Sequence, residues 1–223
     1  MRKILVAWPF HYQIPVAWFY NWVHMDKSSC VGSVSVEGVQ LTHSLNQLVD
    51  MALTRFDDWD RLVIMEHDML PPVDGFTRMA SYDDKADIVG SFYFRHEPPH
   101  HPYVYLPIDS DTHVGVLSSG DVQRMVDGEP SLFECAAVGF GFTGIARYVL
   151  EKWDPAIPMF DFGEPWGSQD LWFCAKAREQ GFKVYVDSGL RCGHLTTAPV
   201  GYADNQRCSS EGGVLDAMTL EIR

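Results

Sequence analysis

Glu66 and Asp68 stand two residues apart in LVIMEHDMLPP, directly after the apolar run Leu62–Met65. Such a run reads as a buried parallel strand, and in an open α/β sheet the ligand crevice lies outside the carboxyl ends of the strands. Period-two spacing turns both carboxylates to one side. Paired there, they suit a hard divalent cation bridging a diphosphate. An acid at a strand end is also a common turn former or helix cap. The second chemical signal is Gly193-His194, after the last expected strand. A neutral imidazole is a good ligand for Mn²⁺ and similar ions, although single histidines commonly serve structure. The third is Ser168-Gln169-Asp170. Asp170 falls in the first turn of a helix, where the dipole and free N–H groups favour its ionised form. An ionised carboxylate there can take a proton from an acceptor hydroxyl, and first-turn acids also simply complement the helix dipole.

The elements that must position these groups follow from the hydrophobic pattern. Lys3 to Trp8 reads as a first buried strand, ended by Pro9, with a helix after Pro15 that has proline in its first turn. Val31 to Val36 and Asp87 to Phe94 read as further strands. Ser44 to Phe56 reads as a helix, since Leu45, Leu48, Ala52 and Phe56 recur at helical spacing, with Thr42 or Ser44 as cap. Val73 to Ser81 reads as a short helix and Ser119 to Val126 as a capped one. Arg95 to Leu117 is rich in Pro, His and Tyr and reads as an irregular excursion with a hairpin. Phe133 to Val138 reads as a strand, after which Gly139-Phe140-Gly141 leads into a helix ending near Trp153. Pro155 to Gly167 is a loop, and Ser168 to Gln180 a helix with Ser168 as cap and Gly181 just past its end. Val184 to Val186 and Leu190 to His194 close the strand set, and the tail from Leu195 reads as loosely attached. Alternating strands and helices predict one α/β domain over residues 1–223, with a mostly parallel sheet and helices on both faces.

The chain has 223 residues and a formal net charge of -13. That charge counts against a bulk-basic nucleic-acid binder, and it leaves a bound anionic nucleotide in need of a neutralising cation. The five cysteines are scattered and form no CxxC pair, so they read as reduced thiols rather than a zinc site or disulfide framework. The basic-then-apolar start, Met1 to Phe10, is broken by Pro9, His11 and Gln13, and no stretch reaches transmembrane length, which predicts a cytoplasmic chain without a membrane span.

The order of these pieces carries more than any one of them. LVIMEHDMLPP, VGFGFTGIARYVLEKW, GSQDLWFCAKAREQGFKVYVD and LRCGH, from about Leu41 to His194, resemble the GT-A glycosyltransferases, above all the short family-2-like enzymes of bacteria and phages. Those enzymes show a DxD motif at a strand end, a Gly-rich segment, an acidic pair opening a helix, and a late His. Here Glu66 replaces the first Asp, and the acidic pair is Gln169-Asp170. The resemblance implies a single GT-A (Rossmann-like) domain that moves a sugar from a nucleotide-sugar, a UDP-sugar, to an acceptor hydroxyl with Mn²⁺ or Mg²⁺. It places Asp68 and His194 on the metal and gives Glu66 a contact to the sugar or ribose. Asp170 becomes the general base of an inverting transfer. Trp8, Pro9 and Phe10 would line the nucleobase, and Asn46 would make a polar contact to the nucleotide.

Trp8 and Phe10 fit plain core packing equally well. The aromatics Phe160, Phe162 and Trp166 suit a sugar platform, or a loop that tucks its rings into the core. His96, His100 and His101 lack ligand spacing within a regular element and read as a mobile polar loop. The acceptor is open between a protein side chain, a glycan and a modified nucleic-acid base. Two other functions fit parts of the pattern. A nucleotidyltransferase would have Gly and a basic residue after the first strand, where Pro9-Phe10-His11-Tyr12 stands. A non-catalytic sugar- or protein-binding domain would have no use for both Asp68 and Asp170.

Overall fold

The computed structural model describes residues 1–10, 13–83, 86–107 and 114–195, and the backbone of 199–200 and 219–220. In chain order the elements are β1 (Ile4–Phe10), α1 (Val16–His24), β2 (Cys30–Glu37), α2 (Leu41–Arg55), β3 (Arg61–Met65), β4 (Met69–Leu70), α3 (Gly75–Met79), β5 (Ile88–Phe92), β6 (Val104–Pro107) and β7 (Val114–Val116). There follow α4 (Ser119–Asp127), β8 (Leu132–Cys135), β9 (Ala137–Val138), β10 (Phe142–Ala146), α5 (Arg147–Glu151), α6 (Gln169–Glu179), β11 (Val184–Arg191), β12 (Gly193–Leu195), β13 (Pro199–Val200) and β14 (Thr219–Leu220).

The central sheet has seven strands in the order β2-β1-β3-β10-β5-β11-β8. Neighbours β2, β1 and β3 are parallel, as are β5 and β11, while β10 runs antiparallel between β3 and β5 and β8 antiparallel at the edge. Alternation along each strand feeds two cores, one on each face. Leu5 and Ala7 of β1 join Leu45, Leu48 and Ala52 of α2 and Phe173 of α6 in one core; Ile4 and Val6 join Trp18 of α1 and Phe76 of α3 in the other. Helices therefore cover both faces, as the alternating pattern requires. Two small sheets sit beside this frame, β13-β12-β4 and β14-β7-β6-β9. A buried carboxylate ties the second core together: Asp187 of β11 accepts from Arg78 Nε and Nη2 and from the Tyr82 hydroxyl.

Several elements depart from the sequence expectation. The stretch after Gly139-Phe140-Gly141 is not a helix through to Trp153. Phe142–Ala146 is a fully buried strand, and only Arg147–Glu151 is helical. Five consecutive buried positions carry no period, so tertiary pairing with β3 and β5 decides the conformation. Pro15 stands at the N-cap of α1 rather than inside its first turn. Neither Thr42 nor Ser44 caps α2, which already begins at Leu41. The excursion after Arg95 contains the expected hairpin, β6 pairing antiparallel with β7. Cys30, Cys135, Cys174 and Cys192 are free thiols, and Cys208 lies outside the described residues, as does most of the tail from Leu195. Among the described residues no helix is long and apolar enough to cross a membrane.

Candidate active site and metal centre

The segment Glu66-His67-Asp68 leaves the carboxyl end of β3 and is held from three directions. Trp18 of α1 donates its indole N–H to the Glu66 carbonyl at 2.9 Å. The Glu66 amide donates to the Gly141 carbonyl at 2.8 Å, and the Leu195 amide of β12 donates to the Asp68 carbonyl at 2.7 Å. The antiparallel pairing of β4 with β12 then sets His194 opposite Met69, so the last expected strand returns beside the acidic turn.

That pairing brings Asp68 and His194 together as the spacing alone could not show. His194 Nε2 lies 3.4 Å from Asp68 Oδ2. The other ring nitrogen, Nδ1, lies 2.8 Å from the Phe94 carbonyl, which only accepts, so Nδ1 carries the proton. In the neutral ring Nε2 is then a lone pair facing a carboxylate oxygen. His96 completes the group: its ring centre is 3.5 Å from that of His194, and ligand atoms of Asp68, His96 and His194 all lie within 4.8 Å of one another. Asp68 Oδ1 and His96 Nε2 are both shut off from solvent without a hydrogen-bond partner. Burial, with the neighbouring His194, lowers the His96 pKa and keeps its ring neutral. Burial raises the Asp68 carboxyl, but a His194 protonated on Nε2 as well bonds to it and outweighs burial, so its pKa lies below the ordinary value, whereas the neutral ring leaves that lone pair free. With His194 neutral, lone pairs converge here without donors, and a set of two imidazoles with one carboxylate has the chemistry of a ligand group for Mn²⁺ or a similar transition ion rather than Mg²⁺. His96 was read from sequence as part of a mobile polar loop. It sits instead on the continuation of β5, beside His194.

Glu66 points into the same space. Burial, with the charges of Asp68 and Asp170, pushes its carboxyl up to about 8. A cleft of about 280 Å³ opens here, lined by Pro9, Phe10, Val39, Leu41, Ser44, Glu66, His67 and Asp68. Pro9 and Phe10 thus reach the cleft from the end of β1. Trp8, two residues earlier on the same side of β1, is not part of that lining, and its ring packs against Phe10, Trp18 and Trp22.

Asp170 opens α6 and is buried. Ser168 occupies the N-cap position but does not cap the backbone; its hydroxyl donates to Asp170 Oδ1, which also accepts from the Leu171 amide at 2.9 Å. Burial outweighs these bonds and the helix N-terminus, so the Asp170 pKa is raised rather than lowered as the helix position alone suggests. Tyr93, Tyr103, Tyr105 and Arg95 all feel its charge. The glycines of the GFG segment make room for these rings. A Cβ at Gly139 would meet Tyr103 Cβ at 2.8 Å and the Tyr93 hydroxyl closer still, and one at Gly141 would meet Met69 Sδ at 2.6 Å.

Asn46, on α2, has its carboxamide bonded within the protein. Its amide donates to Thr42 O and Phe160 O, both at 2.9 Å, and its carbonyl accepts from Phe160 N at 3.3 Å. The carboxamide is thus engaged with the loop after α5 rather than aimed at a nucleotide. Phe160 and Trp166 of that loop are core residues, and only Phe162, 42% exposed, offers a ring to solvent.

No protein-family model matches the chain, and no curated protein does. Among solved structures it is similar to A197 from STIV, with a TM-score of 0.64 and 20% identity over 87% of this chain and 86% of that one. It is also similar to GalNAc-T7 solved with UDP, GalNAc and Mn²⁺, with a TM-score of 0.58 and 10% identity over 87% of this chain. The match spans 43% of the GalNAc-T7 chain. At such identities the likeness shows the fold, and the fold of this chain is the mixed α/β GT-A architecture.

Proposed function

We propose that the chain is a metal-dependent glycosyltransferase that moves a sugar from a UDP-sugar to an acceptor hydroxyl, on one domain spanning residues 1–223. The observation that carries this reading is the convergence of Asp68, His96 and His194 at the carboxyl edge of the sheet, with orphaned lone pairs on Asp68 Oδ1 and His96 Nε2. These three residues would hold Mn²⁺. A bound cation there supplies charge neutralisation for a diphosphate and stabilises the nucleotide as leaving group. The UDP and Mn²⁺ of the similarly folded GalNAc-T7 support the same assignment.

The chain's own residues divide the remaining work. Pro9 and Phe10 wall the cleft beside the acidic turn and would take the nucleobase. Glu66 would face the ribose or donor sugar. Asp170 would accept the proton of the acceptor hydroxyl, in an inverting transfer. Its raised pKa makes it a stronger base than an exposed carboxylate, and it works only above that pKa. Ser168 and the Leu171 amide fix the carboxylate through Oδ1, which orients it without occupying the cleft.

The test is calorimetric titration of a panel of nucleotide-sugars with and without Mn²⁺, alongside direct Mn²⁺ titration, in the wild type, Asp68→Ala and His96→Ala. Mn²⁺-dependent binding of one donor, weakened tenfold or more in both variants, is the expected result. Absence of any nucleotide-sugar binding, with or without metal, would sink the reading.

A further inference from the structure

We propose that Arg95, clasped between Tyr103 and Tyr105, binds an oxyanion of the substrates, a carboxylate or a phosphate group. The inference rests on the transferase reading for what the substrates are, and on geometry for the site itself.

Arg95 follows β5 by three residues, and its backbone is fixed at both ends. Its amide donates to the His101 carbonyl at 2.9 Å, and its own carbonyl stands 2.9 Å from His100 Nδ1. The guanidinium carbon lies 5.3 Å from the Tyr103 ring centre and 5.8 Å from that of Tyr105. Nη2 donates to the Tyr105 hydroxyl at 2.5 Å. A guanidinium has five N–H donors. Among the described residues this is the one hydrogen bond the group makes, and it has no ion-pair partner. Nε is shut off from solvent and has no acceptor.

A partly buried cation without a carboxylate is costly, and structures rarely keep one without use. Asp170 attracts Arg95 without reaching ion-pair distance. The aromatic walls hold the guanidinium by cation–π contact, which leaves the Nη1 donors and the second N–H of Nη2 for an oxyanion at the tip of the fork. The neighbouring residue diverges: His96 packs tilted against His194, while Arg95 goes to the tyrosines. Tyr103 touches both groups, with its ring 5.9 Å from that of His194. The anion site is therefore one tyrosine away from the metal cluster and beside the proposed base. Two sources fit the same chemistry: the diphosphate of the donor, or a carboxylate or phosphate on the acceptor.

The full chain is titrated calorimetrically with Mn²⁺ alone, with UDP plus Mn²⁺, with glucuronate and with inorganic phosphate, as wild type, Arg95→Met, Arg95→Lys and Tyr105→Phe. Arg95→Met is expected to weaken at least one anion about tenfold or more while leaving Mn²⁺ alone unchanged. Loss confined to UDP assigns the donor diphosphate, and loss confined to glucuronate or phosphate assigns the acceptor. Arg95→Lys restores only part of the affinity, because a point charge does not reproduce the fork. Tyr105→Phe keeps the cation but frees Nη2, and it weakens the same probe by a smaller factor, which guards against a folding defect in Arg95→Met. If UDP with Mn²⁺ fails to bind the wild type while an anion binds through Arg95, the transferase reading falls and the anion site stands. Equal anion affinities in wild type and Arg95→Met, or no anion bound at all, overturn the proposal.

Discussion

Replacing Asn46 with alanine separates a loop clamp from a nucleotide contact. In the structure its carboxamide joins α2 to Phe160, 114 residues away, through one donated and one accepted hydrogen bond. Phe160 is buried, so water does not readily replace those partners. Leaving its N–H and C=O unsatisfied costs ~1–3 kcal/mol for each group. Alanine recovers about 0.5 kcal/mol through helix propensity inside α2. The stacking of Phe160 on Phe173, with ring centres 4.9 Å apart, still anchors the loop, so the cost stays near the low end. A net loss of about 1.5 kcal/mol lowers Tm by roughly 3–6 °C in a chain of this size. Differential scanning calorimetry reads the shift, and titration of UDP with Mn²⁺ reads the site. A Tm change under about 1 °C would refute the clamp. An unchanged Tm with a tenfold loss of UDP affinity would restore the nucleotide contact that the family resemblance implies.

Three further outcomes follow from the same structure. Asp170→Asn should reduce sugar transfer by about 10²–10⁴-fold. It should also raise Tm at neutral pH: burial lifts the folded-state pKa, so the ionised form costs stability as pH rises above the unfolded value, and a neutral amide removes that cost; an unchanged Tm at pH 7 would contradict the burial argument. For Asp187 the sign is opposite. Burial raises its pKa, but the bonds from Arg78 and Tyr82 outweigh it and leave it lowered, so its stabilisation is present above the ordinary carboxylate value of about 3.9 and is lost as pH falls through the folded pKa. Acid melts should therefore show a steeper Tm loss below about pH 4 in the wild type than in Asp187→Asn, and parallel curves would refute it. Gly139→Ala drives a methyl group into Tyr93 and Tyr103 and should lower stability by roughly 1–3 kcal/mol in urea titration, whereas an unmoved midpoint would mean the rings yield freely.

What could be read from the chain was what local pattern encodes. The run Leu62–Met65 lies within β3, Ser44 to Phe56 falls largely on α2, and Ser168 to Gln180 closely brackets α6. Each has a clear period or an unbroken apolar run, and flanking residues mark its ends. β10 was not legible, because Phe142–Ala146 is short, buried on both faces and set between strands that lie far away in sequence. The Ser168 side chain was misread for a related reason. Its position as cap follows from sequence, but its hydroxyl prefers a buried carboxylate that the fold places beside it. The Asn46 partner in the loop after α5 is likewise visible only once that loop has folded back on α2. His96 left one trace in sequence, its place four residues past the end of β5 at the same sheet edge as Asp68. Spacing along the chain cannot reveal it, since Asp68, His96 and His194 come from three separate segments.

The Asp68, His96 and His194 cluster depends on the pairing of two very short strands. β4 and β12 are two and three residues long, and their ladder sets His194 beside the acidic turn. The Phe94 carbonyl then decides which imidazole nitrogen faces Asp68, so the backbone that continues β5 fixes the tautomer as well as carrying Arg95 and His96. One stretch, Tyr93 to His96, therefore supplies a ring against the GFG segment, the acceptor that orients His194, a guanidinium toward Asp170 and an imidazole toward Asp68. Neighbouring residues in it serve different partners, His96 at His194 and Arg95 at the tyrosines. A one-residue slip against β11 would exchange those partners and dismantle the Asp68–His96–His194 group and the Arg95–tyrosine clasp together. The neighbours of β5, the fully buried β10 on one side and the largely buried β11 on the other, hold that register where loops alone could not.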